Sequence, residues 1–108
     1  MEFLILMKLQ ENGIGETPEE NKRILEQKII PSIEMLIRME GEGMLSGGFM
    51  EGQRSAAFVV SVESEDILDD TLSQLPCGDI FGMEVVQLEG LKEALKRDRE
   101  ALKTLTGK

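Results

Sequence analysis

The stretch FLILMKL at residues 3–9 decides the fold, because an apolar run of this length predicts a strand buried on both faces. Alternate residues of a strand point to opposite sides of the sheet, so the odd- and even-numbered residues of this run face different layers. The stretch AAFVVSV at residues 56–62 has the same character and predicts a second strand of this kind. Both segments are therefore expected at the centre of one sheet.

Capping signals predict two helices that pack on this sheet. Residues 17–20, Thr-Pro-Glu-Glu, supply an N-cap hydroxyl, a proline at the first helical position and a glutamate that can reach back to the cap. The helix that begins there is expected to end near residues 41–43 and to kink at Pro31, where an interior proline costs about 3 kcal/mol. Ser64, followed by two acidic residues, predicts the start of a second helix, which residues 76–78 end.

Two further strands complete the sheet. Residues 44–49 contain two adjacent glycines, which weaken a strand and often mark a bulge or a close approach of the backbone, so we expect this strand at a sheet edge. Residues 80–88 predict the fourth strand. The order β-α-β-β-α-β predicts an α+β, ferredoxin-like domain over residues 1–88, with a four-stranded antiparallel sheet in the order 2-3-1-4. Residues 89–108 predict a C-terminal helical extension.

The composition limits the chemistry that the chain can perform. The 108 residues suit one domain, and a formal net charge of −9 disfavours binding to nucleic acid. No apolar run approaches the roughly 20 residues that span a bilayer, and residues 1–10 lack a secretory signal, so we expect a cytoplasmic protein without membrane contact. The sequence contains no histidine and a single cysteine, Cys77, which excludes a Ser-His-Asp triad, an imidazole or cysteine zinc site and an internal disulfide. We expect no metal and no cofactor.

Apolar residues on both faces of the first strand predict a homodimer. Two helices can cover only one face of a four-stranded sheet, and a large uncovered apolar face is rare in soluble monomers. Either the C-terminal helix or a second copy of the chain must cover the other face. The helix carries only a narrow apolar stripe, which is formed by Leu91, Leu95, Leu102 and Leu105. Asp98 interrupts this stripe. Packing of two identical sheets across a two-fold axis is therefore favoured.

Three segments share the pattern of a known family. They are a strand ending Val-Glu-Ser at residues 57–64, an acidic helix ending Leu-Pro at residue 76, and a strand of Glu-Val-x-x-Leu type at residues 83–88. In kind and order they resemble the muconolactone isomerase-like family of the dimeric α+β barrel superfamily. The resemblance implies a cofactor-independent isomerase activity on a small lactone or organic acid. Residues 29–31 lack the charges of the family's first helix, and residues 46–48 replace its tryptophan-arginine element, so no catalytic residue is assigned.

Three residues are candidates for binding a small organic molecule. Lys8 ends the apolar first strand and could bind an anionic group at the mouth of a pocket, or simply extend from the sheet into water. Glu84 is either a proton carrier or an outward charge on an edge strand. Ser46, with the glycines after it, either brings backbone N–H groups close to a ligand or marks a bulge. We expect the pocket to lie between the sheet and the helices.

The leading hypothesis is thus a homodimer that binds a small organic molecule, with isomerase-like chemistry. Two alternatives stay open from the residues alone. One is a non-catalytic ligand-binding dimer, which needs a pocket but no tuned proton carrier. The other is a structural dimer whose charged terminal helix engages another protein.

Overall fold

Four antiparallel strands form one sheet in the computed structural model, which describes residues 1–106. The strands are β1 (Glu2–Leu9), β2 (Leu45–Phe49), β3 (Ser55–Ser61) and β4 (Phe81–Leu88). Their order, β2-β3-β1-β4, confirms the predicted topology. The fourth strand begins one residue later than predicted, because Ile80 belongs to a turn in which its N–H donates to the carbonyl of Cys77 at 3.0 Å.

The first predicted helix consists of α1 (Pro18–Ile24), a π-helical turn (Leu25–Ile29) and α2 (Ile30–Gly41). In the π-helical turn the N–H of Ile30 donates to the carbonyl of Leu25, five residues back. Pro31 cannot donate to the carbonyl of residue 27, and its ring would crowd that carbonyl in a regular α-helix. The wider turn directly before Pro31 accommodates the ring while the helical path continues.

The hydroxyls of Thr17 and Ser64 cap the two helices as predicted, whereas the Glu20 carboxylate binds the N–H of Glu16 and not that of the cap residue Thr17. The Thr17 hydroxyl accepts from the N–H of Glu20 at 3.1 Å, and the Glu20 carboxylate accepts from the N–H of Glu16 at 2.7 Å. The Ser64 hydroxyl accepts from the N–H of Ile67 at 3.3 Å and begins α3 (Glu65–Ser73). A short 3₁₀ turn (Glu11–Gly13), which was expected only as a loop, follows β1.

The helices cover one face of the sheet. On β1 the odd-numbered residues Phe3, Ile5 and Met7 are 1–2% exposed and form the core together with residues such as Leu36 of α2 and Leu68 of α3. The even-numbered residues of β1 point the other way. With their neighbours on β3 and β4 they form an apolar surface that we call the open face, made of Leu4, Leu6, Ala57, Val59, Val86 and Leu88. The first strand is therefore apolar on both faces, as predicted.

The C-terminal helix α4 (Leu91–Thr106) does not cover the open face. Its leucines remain 51–89% exposed, and the molecule measures 68 Å along one axis against 27 and 24 Å along the others. A 16-residue helix is about 24 Å long. The helix α4 therefore accounts for this elongation by projecting from the sheet and the helices packed on it, which we call the body. Within the described residues, none of the helices is long and apolar enough to cross a membrane.

The buried hydroxyl of Ser32 links α2 to the segment before β4. Its Oγ accepts from the N–H of Cys77 at 2.9 Å and donates to the carbonyl of Lys28 at 2.6 Å. We expect Ser32→Ala to lower the free energy of unfolding by about 1–3 kcal/mol, because the Cys77 N–H would stay buried without an acceptor. Urea denaturation measures the loss, with Ser73→Ala, at an exposed hydroxyl, as the control. Equal losses in the two variants would contradict this role.

Candidate functional site

All three candidate residues lie on the side of the sheet that faces away from the helices. Lys8 follows Leu4 and Leu6 on the even-numbered side of β1, Glu84 lies directly opposite Leu6, and Ser46 lies directly opposite Val59. Our expectation of a pocket between the sheet and the helices is therefore wrong for a site built from these residues. Most of that space is filled by the apolar core, apart from a small cavity beside α1.

A cavity of about 1260 Å³ lies at one end of the open face, beside Lys8. Lys8 pairs directly with Ser55 on β3 and with Gly82 on β4, so small residues flank it on both sides. A Cβ atom at Gly82 would lie 3.0 Å from Nε2 of Gln10, which also lines the cavity. The missing side chain at Gly82 thus leaves room in the sheet next to Lys8.

Glu84 reaches the same cavity from β4. It stands diagonally across from Lys8 on the same face, a position from which long side chains can meet. The two side chains form no ion pair within 4 Å in the part of the chain that the structure describes. Glu11, from the 3₁₀ turn, adds a second carboxylate to the wall. The cavity therefore combines one cation with two carboxylates on separate elements.

Ser46 does not line this cavity. Along the strand direction, Ser46 lies four residues, or about 13 Å, from the level of Lys8. It also lies two strands away across the sheet. The expected bulge is also absent, because β2 and β3 pair residue by residue from Leu45 to Phe49. The close approach at the glycines is to backbone of this chain, since a Cβ at Gly47 would lie 2.2 Å from the carbonyl oxygen of Ala57.

Loop residues complete the cavity and were not among our predicted site residues. Gln10 and Asn12 come from the segment after β1, and Gln53 comes from the turn between β2 and β3. The Asn12 side-chain amide donates to the carbonyl of Asp79 at 2.9 Å, which fixes the 3₁₀ turn against the segment before β4. These amides supply neutral donors and acceptors around the charged groups.

Other reactive groups of the body lie away from this cavity. Cys77 is 2% exposed, and burial raises the pKa of its thiol, so the reactive thiolate is disfavoured. Among residues 1–106, no group of three or more histidine, cysteine, aspartate and glutamate side chains is placed to hold a metal ion.

A smaller cavity of about 420 Å³ lies between the end of β1 and α1, lined mostly by aliphatic residues and by Asn21 and Arg54.

The larger cavity is suited to bind an anion and to move a proton. An ammonium group attracts a carboxylate, and a glutamate carboxylate can accept a proton from a substrate held beside it. Neither step requires histidine. The open face of the sheet, which is apolar, lies next to the cavity.

The topology defines a class: a ferredoxin-like α+β protein with a four-stranded antiparallel sheet and helices on one face. No protein-family model matches the chain, and no curated protein matches its sequence. Solved structures do match. A crystal structure of muconolactone isomerase superposes with a TM-score of 0.65 at 25% identity, over 82% of this chain and 88% of that one.

A second match is the 5-chloro-2-hydroxyhydroquinone dehydrochlorinase of Burkholderia phenoliruptrix AC1100, solved in complex with 2,5-dihydroxybenzoquinone. It superposes with a TM-score of 0.54 at 18% identity, over 85% of this chain and 97% of that one, and supports the fold. The fold of this chain is thus similar to that of muconolactone isomerase, which confirms the resemblance to the muconolactone isomerase-like family seen in its sequence.

Proposed function

We propose that the chain forms a homodimer through its open faces and binds a small organic acid or lactone in the cavity beside Lys8. The observation that supports this most strongly is the convergence of Lys8 and Glu84, from adjacent strands, on one cavity next to an uncovered apolar surface. The match to muconolactone isomerase, an enzyme named for a lactone, supports the ligand class. This site replaces the position expected between the sheet and the helices.

The proposed chemistry is an isomerisation by proton transfer, without a cofactor. The Lys8 ammonium holds the carboxylate of the substrate, while the Glu84 carboxylate removes a proton from a carbon next to a carbonyl group. The electron pair of that C–H bond moves into the adjacent π-system, and Glu84 returns the proton to another carbon. No electron is gained or lost. A second sheet over the open face excludes water and strengthens both charge interactions.

The first test is retention and binding of ligand by the full chain. Native mass spectrometry shows whether a small molecule copurifies, and calorimetry measures affinity for a panel of small carboxylates and lactones. We expect Lys8→Met to weaken binding of carboxylates about 10- to 100-fold, because a charge-assisted contact is worth roughly 1.5–3 kcal/mol. Lys22→Met, at an exposed lysine of α1 that pairs with Glu26, is the control. Unchanged affinity in Lys8→Met would remove Lys8 from the site.

The second test separates catalysis from binding. If Glu84 transfers the proton, Glu84→Gln lowers the turnover of lactones about 10²- to 10⁴-fold while affinity stays within a few fold. Glu11→Gln, at the other carboxylate of the wall, is the matched control. A wild-type protein that binds lactones without turning any of them over would exclude the isomerase.

A non-catalytic ligand-binding dimer is the second candidate. It is favoured by the exposure of Glu84 and by the absence of any hydrogen-bond partner for its side chain among the described residues. A catalytic base is normally oriented by a neighbouring group, whereas a carboxylate held by no neighbour suits a site that binds without transferring a proton. Binding without turnover in the two tests above is the result that this candidate predicts.

A further inference from the structure

Gln10 continues the extended path of β1 past the end of the strand. Its backbone has a φ of −93° and a ψ of 166°, and its N–H donates to the carbonyl of Ile80 at 2.8 Å. Side chains along an extended segment alternate between the two sides of a sheet, so Gln10 points to the same side as Lys8. Two residues after Lys8, the chain therefore places a neutral amide at the cavity that Lys8 also lines.

The amide of Gln10 lies against the backbone of Gly82. A Cβ atom at Gly82 would lie 3.0 Å from Nε2 of Gln10 and 3.7 Å from its Cδ. Gly82 pairs directly with Lys8, and the Cβ positions of such a pair are about 4.5–5.5 Å apart. The amide therefore occupies the place next to Lys8 that a side chain at residue 82 would otherwise fill.

The polar atoms of this amide are available to a ligand. Within residues 1–106, the Gln10 side chain makes no hydrogen bond to another group of the protein. The amide of Asn12 differs, because it donates to the carbonyl of Asp79 at 2.9 Å. A glutamine amide offers two N–H donors and one acceptor oxygen. Packing against Gly82 thus positions the Gln10 side chain while its donors stay open to the cavity.

The charges around the cavity limit what this amide can bind. The wall carries one ammonium group, that of Lys8, and two carboxylates. The chain as a whole has a formal net charge of −9. A second negative charge on a ligand would meet this acidic excess without a second cation to balance it. The group of the ligand that lies beside Gln10 is therefore expected to be a neutral oxygen, such as that of a carbonyl.

We propose that Gln10 determines the specificity of the site beside Lys8: its amide N–H donates to a neutral carbonyl oxygen of the ligand while Lys8 binds the carboxylate. This arrangement selects monocarboxylates with a second, neutral carbonyl group, such as an oxo acid or a lactone acid. An analogue without that carbonyl binds less tightly, because the amide then loses its water without gaining a partner. The inference rests on the proposed function, since it concerns the same cavity.

Calorimetry with the full chain and two matched pairs of acids tests this role. One pair is 4-oxopentanoate and pentanoate, which differ only in a chain carbonyl. The other is 5-oxotetrahydrofuran-2-carboxylate and tetrahydrofuran-2-carboxylate, which differ only in a ring carbonyl. In at least one pair, we expect the wild-type protein to bind the oxo member about 3- to 10-fold more tightly, as one neutral hydrogen bond provides.

Two variants locate the source of this preference. Gln10→Met keeps the length of the side chain but removes the N–H donors, so it should abolish the preference for the oxo acid. Gly82→Val fills the place of the amide, so it should abolish the preference in the wild-type background and have no further effect on it in Gln10→Met. Gln87→Met, at an exposed residue of β4 that does not line the cavity, is the control and should keep the preference. Circular dichroism checks that each variant is folded.

The possible outcomes separate this inference from the proposed function. A wild-type protein without a preference in either pair, or a preference that persists in Gln10→Met, would overturn the role of Gln10. Equal losses of affinity for both members of a pair in Gln10→Met would also overturn it, because the amide would then help Lys8 to hold the carboxylate. In these cases the proposed site stands as long as binding depends on Lys8. A wild-type protein that binds none of the four acids would overturn the proposed function as well.

Discussion

Replacing Gly47 with alanine lowers the free energy of unfolding by about 3 kcal/mol or more, because backbone strain and overpacking add at this position. Gly47 has a φ of 132°, a value that residues with a side chain rarely adopt. A Cβ there would lie 2.2 Å from the carbonyl oxygen of Ala57 and 2.9 Å from Cα of Phe58. These contacts are with backbone of the neighbouring strand, so no side-chain rotation can relieve them. Urea denaturation of the two proteins measures the difference.

The adjacent glycine provides the control. Gly48 has an ordinary φ, and no atom lies within 4 Å of the position that an added methyl group would take, so Gly48→Ala should change stability by no more than about 1 kcal/mol. Gly52→Ala, at a φ of 73° with open space around it, isolates the cost of the backbone conformation. A Gly47→Ala variant no less stable than Gly52→Ala would contradict the close approach to β3.

The topology could be predicted because several local patterns agreed on it. The apolar runs of β1 and β3 required central positions, and the glycines of β2 required an edge, which is the observed arrangement. The details that differ depend on longer-range packing. The helix path at Pro31 depends on whether a wider turn can form before it, and the start of β4 depends on a hydrogen bond from Ile80 to Cys77.

The candidate site was predictable in part. The alternation of side chains along β1 and β4 places Lys8 and Glu84 on the face of Leu4 and Leu6, but we expected a pocket on the other face. Ser46 could have been excluded from the sequence, since a hairpin that turns at residues 50–54 pairs it far from the end of β1. Gln10, Asn12 and Gln53 lie in turns, where no periodic pattern indicates which way a side chain points.

Replacing Val59 with lysine converts the proposed dimer into a monomer. Val59 lies on β3 between Leu4 and Ser46, near the middle of the open face. Two copies of the new lysine would be brought together and removed from water at the two-fold interface. Juxtaposed like charges cost several kcal/mol, so a penalty of about 3 kcal/mol would weaken dimerisation roughly 100-fold. Size-exclusion chromatography with light scattering at several concentrations measures the shift.

The matched control is Gln87→Lys, which adds the same charge on β4. Gln87 is exposed and lies opposite Phe3, on the side of the sheet that faces the helices, so it should not affect packing of the open faces. A dimer that survives Val59→Lys would show that the open face is not the interface. A Val59→Lys variant that dissociates and also loses affinity for carboxylates would link dimerisation through the open faces to ligand binding at Lys8. The physical reason is that covering the open face lowers the dielectric around Lys8 and strengthens its attraction for an anion.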